Sequence, residues 1–147
     1  MWLPVERERV FAFFAAAENL GRITPPELGF RILTPPPLEM RSGAVIEYRI
    51  RLWGLPLPWK TLITIWSPPE SFVDRQLRGP YRTWIHTHRF SERAGGTLID
   101  DEVVYALPFG ALGALAAPLV SRQLNRIFSY RQRRVSALLH PVNAEPA

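Results

Sequence analysis

A long alternation of apolar and polar side chains, interrupted at short intervals by turn residues, constrains the fold of this chain most strongly. It runs from Leu28 to Leu107. The turn segments are Pro35-Pro36-Pro37, Gly54-Leu55-Pro56, Pro68-Pro69-Glu70, Gly79-Pro80 and Gly95-Gly96. They separate candidate strands near 29–34, 44–53, 58–67, 71–78, 81–92 and 97–107. Because a period of two indicates strands and such short connections join only antiparallel neighbours, the pattern predicts a six-strand meander.

Helical patterns flank this stretch on both sides. The first helix is predicted from Pro4 to about Asn19–Gly21, with a short second helix or turn ending at Ile23. The last is predicted from Phe109 or Leu112 to about Leu139. Its apolar stripe comprises Val120, Leu124, Ile127, Phe128, Val135 and Leu138. We therefore expect one α+β domain over residues 1–140, with the sheet wrapped around the last helix, and a loose tail over 141–147.

Composition excludes several classes of protein. The 147 residues contain no Cys, which rules out a disulfide scaffold, a Cys-based zinc site and thiol catalysis. The longest weakly polar run, 105–121, is interrupted by Pro and Gly and ends at a charged residue, so we expect no stable membrane insertion. The first residues lack the basic start and apolar stretch of a secretory signal, which predicts a cytoplasmic protein.

The formal net charge of +5 is carried almost entirely by Arg, since Lys60 is the only lysine. A cluster of arginines near the end of the last helix could attract an anionic surface. The aromatic residues fall on the buried phase of the strands, however, and no nucleic-acid-binding motif accompanies the cluster. We expect no nucleic-acid partner. A homodimer, or an unknown protein partner docked on the basic helix or on an exposed sheet edge, remains open.

Several polar side chains share the predicted inner face of the sheet. Residues two apart on a strand point the same way. On strand 81–92 one face carries Arg82, Trp84, His86, His88 and Phe90, and the same phase brings Asp74, Gln76, Arg78, Asp101 and Tyr105 inward from the neighbouring strands. Tyr48 lies on the inner phase of strand 44–53, and Ile127 and Arg131 lie on the helix stripe. The predicted ligand-binding residues are Tyr48, Asp74, Gln76, Trp84, Asp101, Tyr105, Ile127 and Arg131.

The two histidines, His86 and His88, are the candidate catalytic residues. A carboxylate from Asp74 or Asp101 would fix the tautomer of one imidazole, which could then act as a general acid or base. The alternative is structural, because buried polar groups must be paired whether or not they do chemistry. His86-x-His88 could also chelate a metal with one of these carboxylates, but the spacing is not that of a dedicated site, and we predict no metal and no cofactor.

The order of elements and a set of short segments resemble the SRPBCC superfamily, also called START-like or Bet v 1-like. The segments are Phe72-Val73-Asp74-Arg75-Gln76, Gly79-Pro80-Tyr81, Trp84-Ile85-His86-Thr87-His88-Arg89-Phe90, Gly96-Thr97, Asn19-Leu20, Thr24-Pro25-Pro26 and Ile127-Phe128 with Tyr130-Arg131. The closest resemblance is to bacterial stand-alone proteins of cyclase/dehydrase-like type. It implies a helix-grip fold, in which a seven-strand antiparallel sheet grips the C-terminal helix around a deep, mostly apolar cavity. Only Met1–Leu3 remain for the family's first strand, which predicts a truncated strand and an exposed sheet edge.

The superfamily includes lipid and hormone carriers, polyketide cyclases and oxygenase domains, so the fold does not select a reaction. We expect a small protein that binds a hydrophobic or amphipathic molecule between sheet and helix, of lipid, polyketide-like or isoprenoid type. The alternative is a cyclase/dehydratase-type enzyme in which His86 or His88 moves a proton and Arg131 or Tyr105 stabilises negative charge. A third interpretation is an accessory module that works beside another protein. The sequence leaves open whether the protein is an enzyme.

Overall fold

The computed structural model describes residues 1–52 and 54–140. Trp53, which the sequence placed at the end of the second predicted strand, and the predicted tail 141–147 lie outside the described residues.

The sheet has seven antiparallel strands in the order β1-β7-β6-β5-β4-β3-β2. The strands are β1 (Trp2–Leu3), β2 (Arg31–Ile32), β3 (Val45–Leu52), β4 (Leu55–Ser67), β5 (Ser71–Arg78), β6 (Thr83–Arg93) and β7 (Gly96–Ala106). The six strands that the alternation predicted are all present, and the short first strand completes the sheet. The predicted α+β helix-grip architecture is confirmed.

β1 joins the sheet through a long-range contact with β7. Trp2 pairs with Leu98 and Leu3 with Thr97, and the amine of Met1 donates a hydrogen bond to the carbonyl of Ile99 at 2.7 Å. Leu3 is buried beneath this edge. Two residues are therefore enough to cover the start of β7, while beyond Ile99 no described strand pairs with its outer edge.

Helices cover the inner face of the sheet. α1 (Arg7–Ala15) is followed by two short 3-10 helices, Ala17–Arg22 and Pro26–Leu28, and α2 (Gly110–Leu139) closes the chain. α1 ends before the predicted Asn19, because the side-chain amide of Asn19 donates a hydrogen bond to the carbonyl of Phe13 at 2.9 Å and so satisfies a helix-end acceptor. None of the helices in the described ranges has a stretch long and apolar enough to cross a membrane.

Two apolar clusters hold these helices on the sheet. The larger joins α1 and the end of α2 to β5, β6 and β7, and comprises Leu3, Val5, Val10, Phe11, Phe14, Ile23, Phe72, Phe90, Ile99, Val135 and Leu139. In the second, Leu124 of α2 packs against Trp59 and Trp84. The first turns of α2 make much less contact with the sheet, since Leu112 and Leu115 are exposed. The middle and end of α2 therefore anchor it.

The anchoring role of Leu124 can be measured with a matched pair of substitutions on one helix. Leu124→Ala should lower the free energy of unfolding by about 2–5 kcal/mol, because it leaves a cavity beside two tryptophans. Leu115→Ala, at a side chain that is 80% exposed, should change it by less than about 0.5 kcal/mol. Urea unfolding followed by tryptophan fluorescence gives both values, and equal losses would refute this account of how α2 is held.

Candidate functional site

The candidate site lies on the inner face of β6, the strand between β5 and β7. Trp84, His86, His88 and Phe90 alternate with outward side chains and are all buried. The register places Asp74 of β5 directly opposite His86, and Asp101 of β7 directly opposite His88. Because directly opposed residues point to the same face, each neighbouring strand contributes one carboxylate to the histidine pair.

The two imidazole rings lie side by side, with centroids 3.8 Å apart, between the two carboxylates. On one side, Asp74 Oδ2 lies 3.5 Å from His86 Nδ1 and 3.4 Å from His88 Nε2. On the other, Asp101 Oδ1 lies 2.6 Å from His88 Nδ1 and 3.4 Å from His86 Nε2. We call these four residues the His/Asp quartet. Every ring nitrogen of the quartet therefore faces a carboxylate oxygen.

Packing holds the quartet in place. The ring of Phe72 stacks on His88 with centroids 4.2 Å apart, and the ring of Phe128 from α2 meets His86 edge-on at 5.4 Å. The contacts between His88 Nδ1, His86 Nε2 and Asp101 Oδ1 are close, yet none of these three buried atoms has a hydrogen-bond partner in favourable geometry. The quartet is thus fixed by ring packing more than by directed hydrogen bonds.

Burial and neighbouring charges shift the pKa values of His86 and His88 in opposite directions. Burial, with the charge of His88, lowers the pKa of His86 to about 4. Burial also opposes protonation of His88, but hydrogen-bonding contacts and the charges of Asp101 and Asp74 outweigh it and raise the pKa of His88. Burial alone would raise the pKa of Asp101, but its contacts with His86 and His88 hold that pKa well below the usual value. Without other ligands, His86 is therefore neutral beside an ionised Asp101.

A cavity of about 100 Å³ opens in front of the quartet. The sheet, the end of α1, the first 3-10 helix and α2 form its walls. Among the residues predicted from the sequence, those lining it are Tyr48, Asp74, Trp84, His86, His88 and Arg131. The remaining walls are mostly apolar. The sequence thus brings six of its candidate residues to one cavity.

Among the described residues that line the cavity, Arg131 is the one arginine or lysine, and it projects from the apolar stripe of α2. Its guanidinium carbon lies 5.1 Å from the centroid of the Phe128 ring, and its Nε is buried without a hydrogen-bond partner. Within the described ranges it forms no ion pair. Burial, with the negative charge of Asp74, raises the pKa of Tyr48, so its hydroxyl stays protonated. The cavity therefore offers two hydrogen-bond donors, from Arg131 and Tyr48.

A second compartment of about 90 Å³ lies on the far side of Trp84 and Arg131. These two side chains belong to the walls of both compartments. Ile127, another predicted ligand-binding residue, lines the second compartment together with Trp59 and Leu124. Movement of Arg131 would join the two spaces.

Two predicted residues open to a different surface. Asp101 and Tyr105 line a groove of about 360 Å³ between β7 and α2, with Leu124, Asn125 and Phe128 on its other wall. α2 crosses over the sheet between this groove and the cavity. Inward side chains of β6 therefore reach the cavity, whereas inward side chains of β7 reach the groove. Asp101 thus contacts His86 and His88 on the side of the ring pair that faces away from the cavity.

Three further residues on the predicted inner phase do not line the cavity. The side-chain amide of Gln76 donates a hydrogen bond to the carbonyl of Tyr81 at 2.7 Å, which holds the turn between β5 and β6. Arg78 and Arg82, at the ends of the same strands, are exposed. Near this turn, side chains on the predicted inner face therefore no longer point into the cavity.

Several further residues line the cavity that were not among the predicted site residues. They are Phe13, Phe14, Ala16, Ala17, Asn19, Leu20, Ile23, Met40, Ile46, Thr61, Ile63 and Phe72. The inward phase of β3 and β4 could have indicated Ile46, Thr61 and Ile63. Nothing local indicates the residues between 13 and 23, because their position depends on how α1 and the 3-10 helix dock.

Comparison with known proteins identifies the fold. No family model matches the sequence, and no curated protein sequence does so. Among solved structures, protein Ms6760 from Mycobacterium smegmatis is 18% identical, with a TM-score of 0.71 over 97% of this chain and 89% of that one. The ginseng major latex-like protein 151 from Panax ginseng is 12% identical, with a TM-score of 0.66 over 96% and 94%. Ara h 8.0201 is 14% identical, with a TM-score of 0.62 over 93% and 94%. At these identities the likeness concerns architecture alone, and the chain has the Bet v 1-like helix-grip fold that the resemblance predicted.

Proposed function

We propose that the protein binds a compact, mostly apolar molecule with one oxygen-bearing polar group in the cavity between the sheet, α1 and α2. The observation that carries this proposal is the side chain of Arg131, which lies in the wall of an otherwise mostly apolar cavity with its Nε buried and unpartnered. A few convergent polar groups in an apolar cavity are typical of small-molecule sites.

The polar end of the ligand is defined by the donors that face it. The guanidinium of Arg131 and the protonated hydroxyl of Tyr48 both donate hydrogen bonds, which an oxygen atom accepts. Asp74, in the same wall, disfavours a second negative charge. A carbonyl or hydroxyl oxygen fits this arrangement, because it accepts from the donors without adding charge beside the carboxylate.

The size of the ligand follows from the two compartments. Each is smaller than the roughly 150 Å³ that accommodates benzene in an apolar protein cavity, and drug-sized sites measure about 300–1,000 Å³. Either compartment alone therefore favours a short chain, and a single ring among the lipid, polyketide-like and isoprenoid classes suggested by the resemblance needs space from both. A displacement of Arg131, which lies in the walls of both compartments, would provide that space.

Proton transfer by His86 or His88 gains less support from the geometry. Both nitrogens of each ring face a carboxylate of Asp74 or Asp101. A base must reach the proton that it removes at hydrogen-bond distance. A carboxylate already lies beside each ring nitrogen and competes with a molecule in the cavity for it, which favours binding over acid–base chemistry.

The role of Arg131 can be tested with two ligands that differ only in their polar end. Benzyl alcohol should bind the wild-type protein more tightly than toluene in NMR titrations. Arg131→Met should weaken binding of benzyl alcohol by about 10-fold or more, because a hydrogen bond from a charged group is worth about 1.5–3 kcal/mol. Toluene binding should change by less than about 3-fold. Arg133→Met, at an exposed position on the same helix, is the control, and an equal loss in both variants would contradict this role.

The location of the ligand can be tested by filling the cavity. Ala17 is buried and lines it, whereas Ala12 of α1 is exposed and does not. Ala17→Leu should abolish detectable binding of both ring compounds, because the added methyl groups occupy the same space. Ala12→Leu should leave binding unchanged. Thermal unfolding establishes that both variants fold, and ring binding that survives in folded Ala17→Leu would place the ligand elsewhere.

A further inference from the structure

The separations between Asp74 and the two histidines match a metal centre better than a pair of hydrogen bonds. Asp74 Oδ2 lies 3.5 and 3.4 Å from the nearest nitrogens of His86 and His88, and the three donor atoms all lie within 4.8 Å of one another. Charge-assisted N–H···O bonds are shorter, about 2.7–2.9 Å. Donors at about 2.0–2.1 Å from one tetrahedral ion are about 3.3–3.4 Å apart. Both separations from Asp74 Oδ2 to a histidine nitrogen therefore have about the length of a tetrahedral edge.

Within the described residues, the two carboxylates of the quartet have only His86 and His88 as possible counter-ions. The side chains of Asp74 and Asp101 are 15% and 16% exposed, so both carboxylates are largely removed from water. Within residues 1–52 and 54–140, no Lys or Arg lies within ion-pair distance of either one. Largely buried charges need compensation, and one divalent cation would balance the two carboxylates while both imidazoles stay neutral.

Asp101 occupies the position that a supporting carboxylate takes behind metal-bound histidines. It faces His88 Nδ1 and His86 Nε2, the ring nitrogens that point away from Asp74. A carboxylate in this place fixes the tautomer and the orientation of the ligating ring, and also raises its basicity. The single residue Asp101 serves both rings at once, because they lie side by side.

The geometry points to a divalent-metal site, best suited to Zn²⁺, in which Asp74 Oδ2, His86 Nδ1 and His88 Nε2 are the ligands and Asp101 orients both histidines. Two imidazoles, one carboxylate and an open fourth position form a familiar zinc arrangement. The cavity lies on the side of the fourth position, where a water molecule or the oxygen of a bound molecule would complete the coordination. The site requires no organic ligand to form.

The spacing His86-x-His88 did not by itself predict this site. Two histidines on one strand supply only two donors, and many structural pairs have that spacing. The cross-strand register adds the third ligand from β5 and the supporting carboxylate from β7. The metal hypothesis thus depends on the arrangement of three strands.

The test is a titration of the full chain, without a polyhistidine tag and after removal of metal by a chelator, with Zn²⁺ alone. Calorimetry should give one equivalent per chain, and Zn²⁺ should raise the melting temperature, because it binds the folded state. Titration with Co²⁺ should give the strong visible absorption of tetrahedral coordination. Absence of stoichiometric Zn²⁺ binding by the wild-type chain would overturn the proposal, whatever the variants show.

Matched variants separate this site from adventitious binding. Asp74→Asn should lower Zn²⁺ affinity by at least 100-fold, and Asp101→Asn by about 10- to 100-fold. Asp100→Asn, on the outer face next to Asp101, and His140→Gln, at the exposed end of α2, should bind as the wild type does. Near-wild-type affinity in folded Asp74→Asn, or a large loss in either control, would overturn the assignment. The toluene and benzyl alcohol titrations of metal-free protein test the proposed function separately.

Discussion

Two histidines on the inner face of a central strand are the constraint around which this structure is arranged. An imidazole removed from water is costly unless polar groups lie beside its nitrogens, and for His86 and His88 the strands to either side provide them. The register of β5, β6 and β7 supplies Asp74 to one side of the ring pair and Asp101 to the other. A shift of one residue in either pairing would turn a carboxylate to the outer face and leave ring nitrogens facing no carboxylate. The polar quartet therefore also specifies how the sheet is aligned.

Helix α2 divides the inner face into separate spaces. Its middle packs on Trp59 and Trp84, and its end packs on the cluster beneath α1. Between these anchors Arg131 lies in the cavity wall, so the helix that closes the cavity also contributes its cation. Asp101 and Tyr105 end up in the groove on the other side of the helix. The inward side chains of the sheet thus reach two different spaces, and the proposed metal ligands face the cavity while Asp101 lines the groove.

The strands and α2 could be predicted from the sequence because their signals are local. Alternation and turn residues located β2 to β7, and the stripe from Val120 to Leu138 located α2. β1 could not be derived from alternation, because Trp2 and Leu3 become a strand only by pairing with residues nearly a hundred positions away. The early end of α1 was missed because it depends on one side-chain bond from Asn19.

Within the site, the alternation predicted which residue types share the inner face of the sheet. It did not predict which atoms of these side chains contact one another. It placed Gln76 inward, yet a nearby backbone carbonyl captures its amide. It aligned two histidines with two carboxylates without showing which nitrogen meets which oxygen. That geometry depends on rotamers, ring stacking and the exact register, none of which a pattern of residue types contains.

The small volume of the cavity determines where its selectivity must come from. A site of about 100 Å³ has little apolar surface with which to distinguish one hydrocarbon from another, and a single methylene is worth only about 1–3 kcal/mol in such discrimination. A site built to hydrogen-bond an oxygen rejects an analogue without one far more strongly, since its buried donors would then be left unpaired. We therefore infer that Arg131 and Tyr48 on one side, and the proposed metal-ligating face of the quartet on the other, select the ligand, while the apolar walls limit its size. Under this proposal the sheet register and α2, which place these polar side chains along the cavity wall, determine what the cavity can bind.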